Sequence, residues 1–235
     1  MVKAVLFDLD GVVVDSEPLY AKAEIKLFEE YGVTIPDEDW KLFRGSTEEG
    51  FYQLAMERYQ IREDKQKLME KGRLYVRNQF KSELRFMSGF KSLSGRISDA
   101  GYKIGLVTSS PKPMYEYVNE LMSIKQYFPE VIYGGMTKNS KPHPEPYLLM
   151  MKLLDVEPFE CIIIEDSVHG LNAALASGAM VIALAGSVEP KDMPKAHHFV
   201  THLDQVTFEL MKEGDAACSC GKSPVWECND ICLRD

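Results

Sequence analysis

A short stretch near the start of the chain constrains the fold more than any other feature. An apolar run from Val2 to Phe7 ends in Asp8, and a second carboxylate, Asp10, is followed by Gly11. Apolar runs bounded by turn residues are typical of buried strands. Residues two apart in an extended segment point to the same side, so both carboxylates should leave the strand's carboxyl end, where open parallel sheets bind ligands. Two close carboxylates repel, so the pair suits magnesium, or a nucleophile beside an acid/base group.

The spacing of the first two strands predicts an inserted domain. The next strand, at 102–107, begins about ninety residues later, against ~30 residues for a simple βαβ unit. The intervening residues carry capping signals and amphipathic spacing typical of helices. We therefore predict an all-helical cap domain at 15–87, inserted into an α/β core formed by 1–14 and 88–213.

After the predicted cap, helices and strands alternate, which favours a parallel sheet covered by helices. The predicted fold class is α/β, with a Rossmann-like three-layer parallel sheet core. Further strands are predicted at 131–133, 161–164, 180–184 and 198–201. Helices are predicted at 90–100, 114–122, 146–154, 170–177 and 203–212.

Composition indicates a folded protein and argues against some kinds of binding partner. The 235 residues are 45% hydrophobic, enough for a buried core, and the formal charge is 27 − 36 = −9. This acidity argues against binding to nucleic acid or to an anionic membrane surface. A strand with an acidic end directly follows the initial Met, and no apolar run is long enough to span a bilayer, so we expect a cytoplasmic protein. The sequence leaves open a monomer or a small homo-oligomer.

Polar side chains that could belong to a site also follow two later predicted strands, and another precedes a predicted helix. Thr108 and Ser109 end one strand, where hydroxyls and backbone N–H groups can hold phosphate oxygens or simply cap a helix. Lys141 lies among prolines that stiffen its backbone, so its ammonium is presented in a fixed place. Glu165 and Asp166 follow another buried strand, and a cap does not explain two adjacent acids.

In order along the chain, DLDG, TSS, KPHPEPY and ED resemble the four motifs of the haloacid dehalogenase-like (HAD) phosphohydrolases. The resemblance implies that Asp8 is the nucleophile and Asp10 the general acid/base. It further implies that Thr108, Ser109 and Lys141 bind the phosphate.

The resemblance also implies a magnesium ion. Its implied ligands are Asp8, Asp10 and Asp166, with Glu165 as an indirect or water-mediated partner. The charge balance agrees, because four carboxylates face one lysine, and a phosphate dianion would be repelled unless a divalent cation were bound. The activity implied is magnesium-dependent hydrolysis of a small phosphomonoester, by default a sugar phosphate, through an aspartyl-phosphate intermediate.

The helical insert resembles the cap of the β-phosphoglucomutase and phosphoglycolate phosphatase branch, so a phosphotransferase is the main alternative. Tyr20 stands where those mutases have a histidine, and no phosphate-gripping arginine follows Gly45, which favours a phosphatase. Lys71 matches a cap lysine of that branch or is a solvated helix residue. Arg44, Glu17 and Tyr20 are weaker candidates for contacts with substrate.

Two other possible functions also use Asp8. A haloacid dehalogenase is disfavoured by Asp10, since those enzymes need no magnesium and lack this second acid. A phospho-acceptor signalling domain of receiver type is disfavoured by Asp10 and by the helical insert. It would be distinguished by a long-lived aspartyl phosphate.

The last twenty or so residues, 214–235, form a separate tail rich in cysteine. The motif CxC is followed by CxxxC, and four thiolates at such spacing could hold zinc or remain free. The sequence does not decide between a structural zinc site and free thiols. The cysteines concerned are Cys218, Cys220, Cys228 and Cys232.

Overall fold

The computed structural model describes residues 1–43, 48–186 and 194–213. These residues form two compact units. One unit comprises Met1–Val14 together with the chain from Phe86 onward, and the other comprises Asp15–Arg85. The cysteine tail lies outside the described residues.

The first unit contains a parallel sheet, as predicted. Within the described residues the sheet has six strands in the order β3-β2-β1-β4-β5-β6, all paired in parallel. The strands are β1 Ala4–Phe7, β2 Lys103–Pro111, β3 Glu130–Gly134, β4 Cys161–Glu165, β5 Met180–Leu184 and β6 His198–Val200. The α/β fold class predicted from the sequence is therefore confirmed.

Helices cover both faces of this sheet. On one face, Leu6 of β1 belongs to a buried cluster with Met150 and Leu171 of two helices. Phe7 is next to Leu6 and faces the opposite side, where its ring meets those of Phe90 and Phe128 edge-on. The helices of this unit are α5 Phe90–Asp99, α6 Lys112–Met122, α7 Glu145–Leu154, α8 Val168–Ala176 and α9 Phe208–Glu213.

The strand order determines where a ligand can bind. The strand β1 lies between β2 and β4, and the order of strands reverses there, since β2 and β3 lie on one side of β1 and β4 to β6 on the other. In open α/β sheets the crevice beyond the carboxyl ends of the strands at this switch point is the usual binding site. The predicted site residues after β1, β2 and β4 are therefore brought to one edge of the sheet.

Two predicted elements differ from the structure. The strand β2 continues to Pro111, four residues beyond its predicted end, with a shift in register against β3 between Val107 and Pro111. The helix predicted at 203–212 is interrupted, since a 3₁₀ turn at Leu203–Gln205 precedes α9. The break lies at Val206, whose ψ of 87° is not helical.

The second unit is helical over its described residues. Its helices are α1 Glu17–Glu29, α2 Trp40–Phe43, α3 Glu48–Tyr59 and α4 Lys65–Glu83. They enclose a separate core that contains Leu27, Phe28, Phe51 and Leu68. Among the described helices of the chain, none combines the length and apolarity needed to cross a bilayer.

Glu24 of α1 makes the stability of this unit dependent on pH. Burial, followed by the charge of Glu17, raises the pKa of the Glu24 carboxyl from 4.5 to about 8. Because the pKa is raised in the folded state, the contribution of the neutral Glu24 carboxyl to stability is fully present below pH 4.5. This contribution is lost as the pH rises from there through about 8. Glu24→Gln removes the charge, so we expect it to stabilise the protein at pH 8.5 by about 1–3 kcal/mol.

The matched control is Glu29→Gln, because Glu29 lies on the same helix but is exposed. Thermal unfolding of both variants at about pH 4 and pH 8.5 measures the effect. Glu24→Gln should raise the midpoint only at the higher pH, and Glu29→Gln should change little at either. An equal gain at both values would show that ionisation of Glu24 is not the cause.

Candidate active site

The turn after β1 carries the first two predicted site residues. Asp8 is buried, and its backbone N–H donates to the Ile164 carbonyl of β4 at 3.1 Å. Gly11 has a φ of +75°, a conformation that favours glycine, and it turns the chain back so that its N–H donates to Val14. The Oδ2 atom of Asp10 accepts a hydrogen bond of 2.8 Å from Ser110 Oγ. The turn thus directs Asp8 towards β4 and Asp10 towards β2.

Lys141 joins the carboxyl ends of three strands. Its Nζ atom lies 2.5 Å from Asp8 Oδ1 and 2.7 Å from Glu165 Oε1, and it donates to the Val107 carbonyl at 2.8 Å. The side chain is buried. Burial by itself would lower the pKa of Lys141, but the Asp8 and Glu165 carboxylates hold that pKa well above its usual range. Lys141 is therefore a fixed positive charge at the end of β1.

Glu165 is held by hydrogen bonds on both of its carboxylate oxygens. It is fully buried, and its Oε1 atom accepts from Lys141 and, at 2.9 Å, from the Tyr147 hydroxyl. Its Oε2 atom accepts from the Asp166 N–H, the Ser167 N–H and Ser167 Oγ at 3.0–3.1 Å. With five donors on two oxygens, this carboxylate fixes Lys141 and has little capacity left to bind a cation directly.

Asp166 completes a cluster of acidic groups. Among the described residues, carboxylate oxygens of Asp8, Glu165 and Asp166 lie within 4.8 Å of one another. Asp166 is buried and packs against Gly11, where an added Cβ would lie 2.1 Å from its Oδ2 atom. Burial, only partly offset by Lys141, raises the pKa of Asp8 well above its usual value, and the charges of Glu165 and Asp166 add to the rise. This excess of negative charge suits a divalent cation.

The chemistry of these donors fits magnesium. Asp8 and Asp166 offer the hard oxygen ligands that magnesium prefers, and they lie side by side. Since Glu165 is already fully bonded, we take Asp8 and Asp166 as the two side chains able to hold the ion.

Comparison with known proteins shows the family of this chain. The sequence model of the family described as haloacid dehalogenase-like hydrolase matches residues 5–184. The chain belongs to this HAD family. It is similar to a phosphorylated carbohydrates phosphatase of Thermotoga maritima, 29% identical over 75% of the chain and 82% of that protein. It is also similar to a 6-phosphogluconate phosphatase of Escherichia coli, 28% identical over 90% of the chain and 95% of that protein.

Solved structures extend the comparison to the fold. A crystal structure of β-phosphoglucomutase from Clostridium difficile superposes with a TM-score of 0.74 and 26% identity, over 91% of the chain and 97% of that structure. The family match and the phosphatase relatives confirm the predicted class of HAD-like phosphohydrolase. The neighbours include proteins named as phosphatases and as a mutase.

Asp10 lies outside the acidic cluster of the described residues, which contains Asp8, Glu165 and Asp166. The chain reverses at Gly11, and the Asp10 carboxylate accepts a hydrogen bond from Ser110 of β2. The assignment of Asp10 as a third metal ligand stays a prediction.

The predicted phosphate-binding hydroxyls lie at the carboxyl end of β2. Thr108 is buried, and its Oγ1 atom accepts from the Ser110 N–H at 3.0 Å. Ser109 is exposed, and its carbonyl oxygen approaches Gly134 of β3, where an added Cβ would lie 2.4 Å away. Ser110, which the sequence analysis did not select, alternates with Thr108 along the strand. A longer predicted β2 would have revealed that Ser110 shares the side of Thr108.

Candidate residues of the helical unit have neighbours within that unit. Tyr20 lies edge-on to Phe80, with ring centroids 5.2 Å apart. Lys71 forms an ion pair with Glu30, and its ammonium lies over the ring of Tyr31. These contacts favour the interpretation of Lys71 as a surface helix residue. Arg44 and Gly45 lie outside the described residues.

Proposed function

We propose that this HAD hydrolase is a magnesium-dependent phosphatase that hydrolyses a small phosphomonoester, with sugar phosphates as the substrate class. The observation that carries the proposal is the contact of Lys141 with both Asp8 and Glu165, at 2.5 and 2.7 Å. It joins three segments distant in sequence, each of which carries one of the motifs. The phosphatase relatives support the substrate class, since they are named for phosphorylated carbohydrates and 6-phosphogluconate.

In the proposed reaction Asp8 is the nucleophile. A carboxylate oxygen of Asp8 attacks phosphorus, and the bond from phosphorus to the substrate's ester oxygen breaks. Asp10 gives its proton to that oxygen, so the alcohol leaves and an aspartyl phosphate remains. Asp10 then takes a proton from a water molecule whose oxygen attacks phosphorus, which releases phosphate and regenerates the Asp8 carboxylate.

The other residues position and stabilise charge. Lys141 holds Asp8 through Oδ1 and places a positive charge beside the transferring group. Thr108 and Ser109, with their backbone N–H groups, are proposed to bind phosphoryl oxygens. Ser110 orients the Asp10 carboxylate. Bound magnesium, held by Asp8 and Asp166, would offset the repulsion between the acidic cluster and the phosphate dianion.

We further propose that the helical unit, Asp15–Arg85, is the cap domain predicted from the sequence and that its residues select the leaving group. The β-phosphoglucomutase neighbour keeps phosphotransfer as a second candidate function. Tyr20, in place of the histidine of those mutases, favours water as the phosphoryl acceptor.

A phosphate-release screen tests the proposal. The purified protein is incubated with hexose phosphates, hexitol phosphates, 6-phosphogluconate, phosphoglycolate and nucleotides, with magnesium or with EDTA. We expect release from at least one sugar phosphate, and a fall of about 100-fold or more in EDTA, because charge neutralisation by the ion contributes several kcal/mol. Failure to hydrolyse any phosphomonoester would contradict the proposal.

The same screen separates hydrolysis from phosphotransfer. β-Glucose 1-phosphate is incubated with and without a glucose bisphosphate activator, and glucose 6-phosphate is measured beside free phosphate. We expect free phosphate and no activator-dependent isomerisation. Isomerisation faster than hydrolysis would replace the phosphatase assignment with a mutase.

A further inference from the structure

A buried tyrosine contacts both members of the central ion pair. Tyr147 lies in the first turn of α7 and is among the largest fully buried side chains. Its hydroxyl donates to Glu165 Oε1 at 2.9 Å. The Nζ atom of Lys141 lies over its ring, 4.8 Å from the ring centroid. A buried aromatic on a helix usually only fills a core, but here both polar contacts are to charged groups.

The surroundings of the Lys141 ammonium show what the ring contributes. An ammonium has three N–H donors, and three acceptors surround this one: Asp8 Oδ1, Glu165 Oε1 and the Val107 carbonyl. The ring of Tyr147 adds a fourth neighbour, and the negative face of an aromatic ring attracts a cation. The ammonium is thus surrounded by three acceptors and an aromatic ring.

The Tyr147 hydroxyl contacts Glu165, the other member of the ion pair. Glu165 Oε1 accepts from Lys141 and from Tyr147 together, while Oε2 is held by the chain at Asp166 and Ser167. Without the hydroxyl, Oε1 keeps Lys141 as its donor in this network, and the carboxylate gains freedom to rotate. Rotation would move the acceptor that holds Lys141 in place.

We propose that Tyr147 is a positioning residue for phosphoryl transfer, which acts through Glu165 and Lys141 to fix the ammonium against Asp8. The proposal rests on the proposed phosphatase function. Tyr147 contributes in two separable ways, a hydrogen bond to the anion and a ring face to the cation. A residue that only filled space would be replaced without loss of activity by an apolar side chain of similar size.

Two substitutions separate these contributions. Tyr147→Phe keeps the ring and removes the hydroxyl, whereas Tyr147→Leu removes both. The matched control is Tyr59→Phe, because the Tyr59 hydroxyl also donates to a buried carboxylate, Asp39, which is likewise paired with a cation, Arg58. This second cluster belongs to the helical unit.

The first readout is hydrolysis of p-nitrophenyl phosphate with magnesium. We expect Tyr147→Phe to lower kcat about tenfold with KM changed less than about threefold, and Tyr147→Leu to lower kcat about 100-fold. Tyr59→Phe should leave kcat within about twofold while lowering the unfolding temperature. If the wild-type protein hydrolyses the ester and Tyr147→Phe keeps wild-type kcat, the positioning role is wrong. If the wild-type protein hydrolyses no phosphomonoester, the proposed function itself fails.

The second readout tests whether Tyr147 acts through Lys141. Affinity for inorganic phosphate, with magnesium present, is measured by calorimetry for Tyr147→Phe, Lys141→Met and the double variant. We expect Tyr147→Phe to weaken phosphate binding about two- to threefold in the wild-type background and to have no effect after Lys141→Met. An equal loss in both backgrounds would show that Tyr147 acts independently of Lys141 and would overturn the proposal. If Lys141→Met does not fold, the kcat comparison with Tyr59→Phe decides.

Discussion

Asp8→Asn is expected to lower phosphatase activity about 1,000-fold or more, because an amide oxygen cannot replace the carboxylate nucleophile. The same substitution should leave the metal-free protein at least as stable as the wild type. Burial raises the pKa of Asp8 well above its usual range, so the ionised carboxylate opposes folding in the absence of a metal. Asparagine is nearly isosteric with aspartate and carries no charge.

The sign of the pH dependence follows from the raised pKa. A carboxyl with a raised pKa in the folded state contributes its stability below the unfolded pKa, and this contribution is lost as the pH rises. The stability gain from Asp8→Asn in EDTA should therefore appear near neutral pH and disappear at about pH 3–4. Lys141 still has Glu165 as a partner, so the substitution leaves no unpaired buried ammonium.

The measurement combines phosphate release with thermal unfolding in EDTA. Asp99→Asn is the matched control, since Asp99 is an exposed residue at the end of α5. It should change neither activity nor stability appreciably. An Asp8→Asn protein that keeps more than about a tenth of wild-type activity would exclude Asp8 as the nucleophile.

The sheet could be predicted because its strands are buried on both faces. In β1, β4 and β5 every residue is buried, so the sequence shows continuous apolar runs, and those of β1 and β4 end abruptly at acidic residues. The end of β2 could not be predicted in this way. Residues 108–111 are polar or proline, and their extended form comes from pairing with β3 beyond a register shift, a tertiary contact.

The site could be predicted where a residue follows a strand directly. Asp8 and Asp166 follow β1 and β4, which are neighbours in the sheet, and the sequence analysis placed both in one site. Glu165 was predicted to be an indirect partner of the metal, and this stays a prediction, while the structure shows five hydrogen bonds to its carboxylate. The functions of Tyr147 and Ser110 depend on contacts 18 and 100 residues away along the chain. No local pattern reports such contacts.

Gly170→Ala is expected to destabilise the protein by about 2–3 kcal/mol, although alanine is the better helix former by about 1 kcal/mol. Gly170 lies in α8, and an added Cβ would lie 1.7 Å from Glu165 Oε1 and 2.0 Å from its Cδ. The carboxylate cannot move aside cheaply, because five hydrogen bonds hold it. Displacing Glu165 would also shift Lys141, so activity should fall at temperatures where the variant remains folded.

Gly95→Ala provides the matched control for this glycine. Gly95 lies inside α5 and is exposed. Among the described residues, no atom outside the helix's own backbone and the chain neighbours of Gly95 lies within 4 Å of an added Cβ. It should therefore show the helix preference alone, a gain of about 0.5–1 kcal/mol. The two Gly-to-Ala variants should thus shift the unfolding midpoint in opposite directions, by roughly 5–10 °C downward for Gly170 and 1–4 °C upward for Gly95. A midpoint that rises in both would mean that Glu165 is free to yield, and the rigid coupling of α8 to Lys141 would then be wrong.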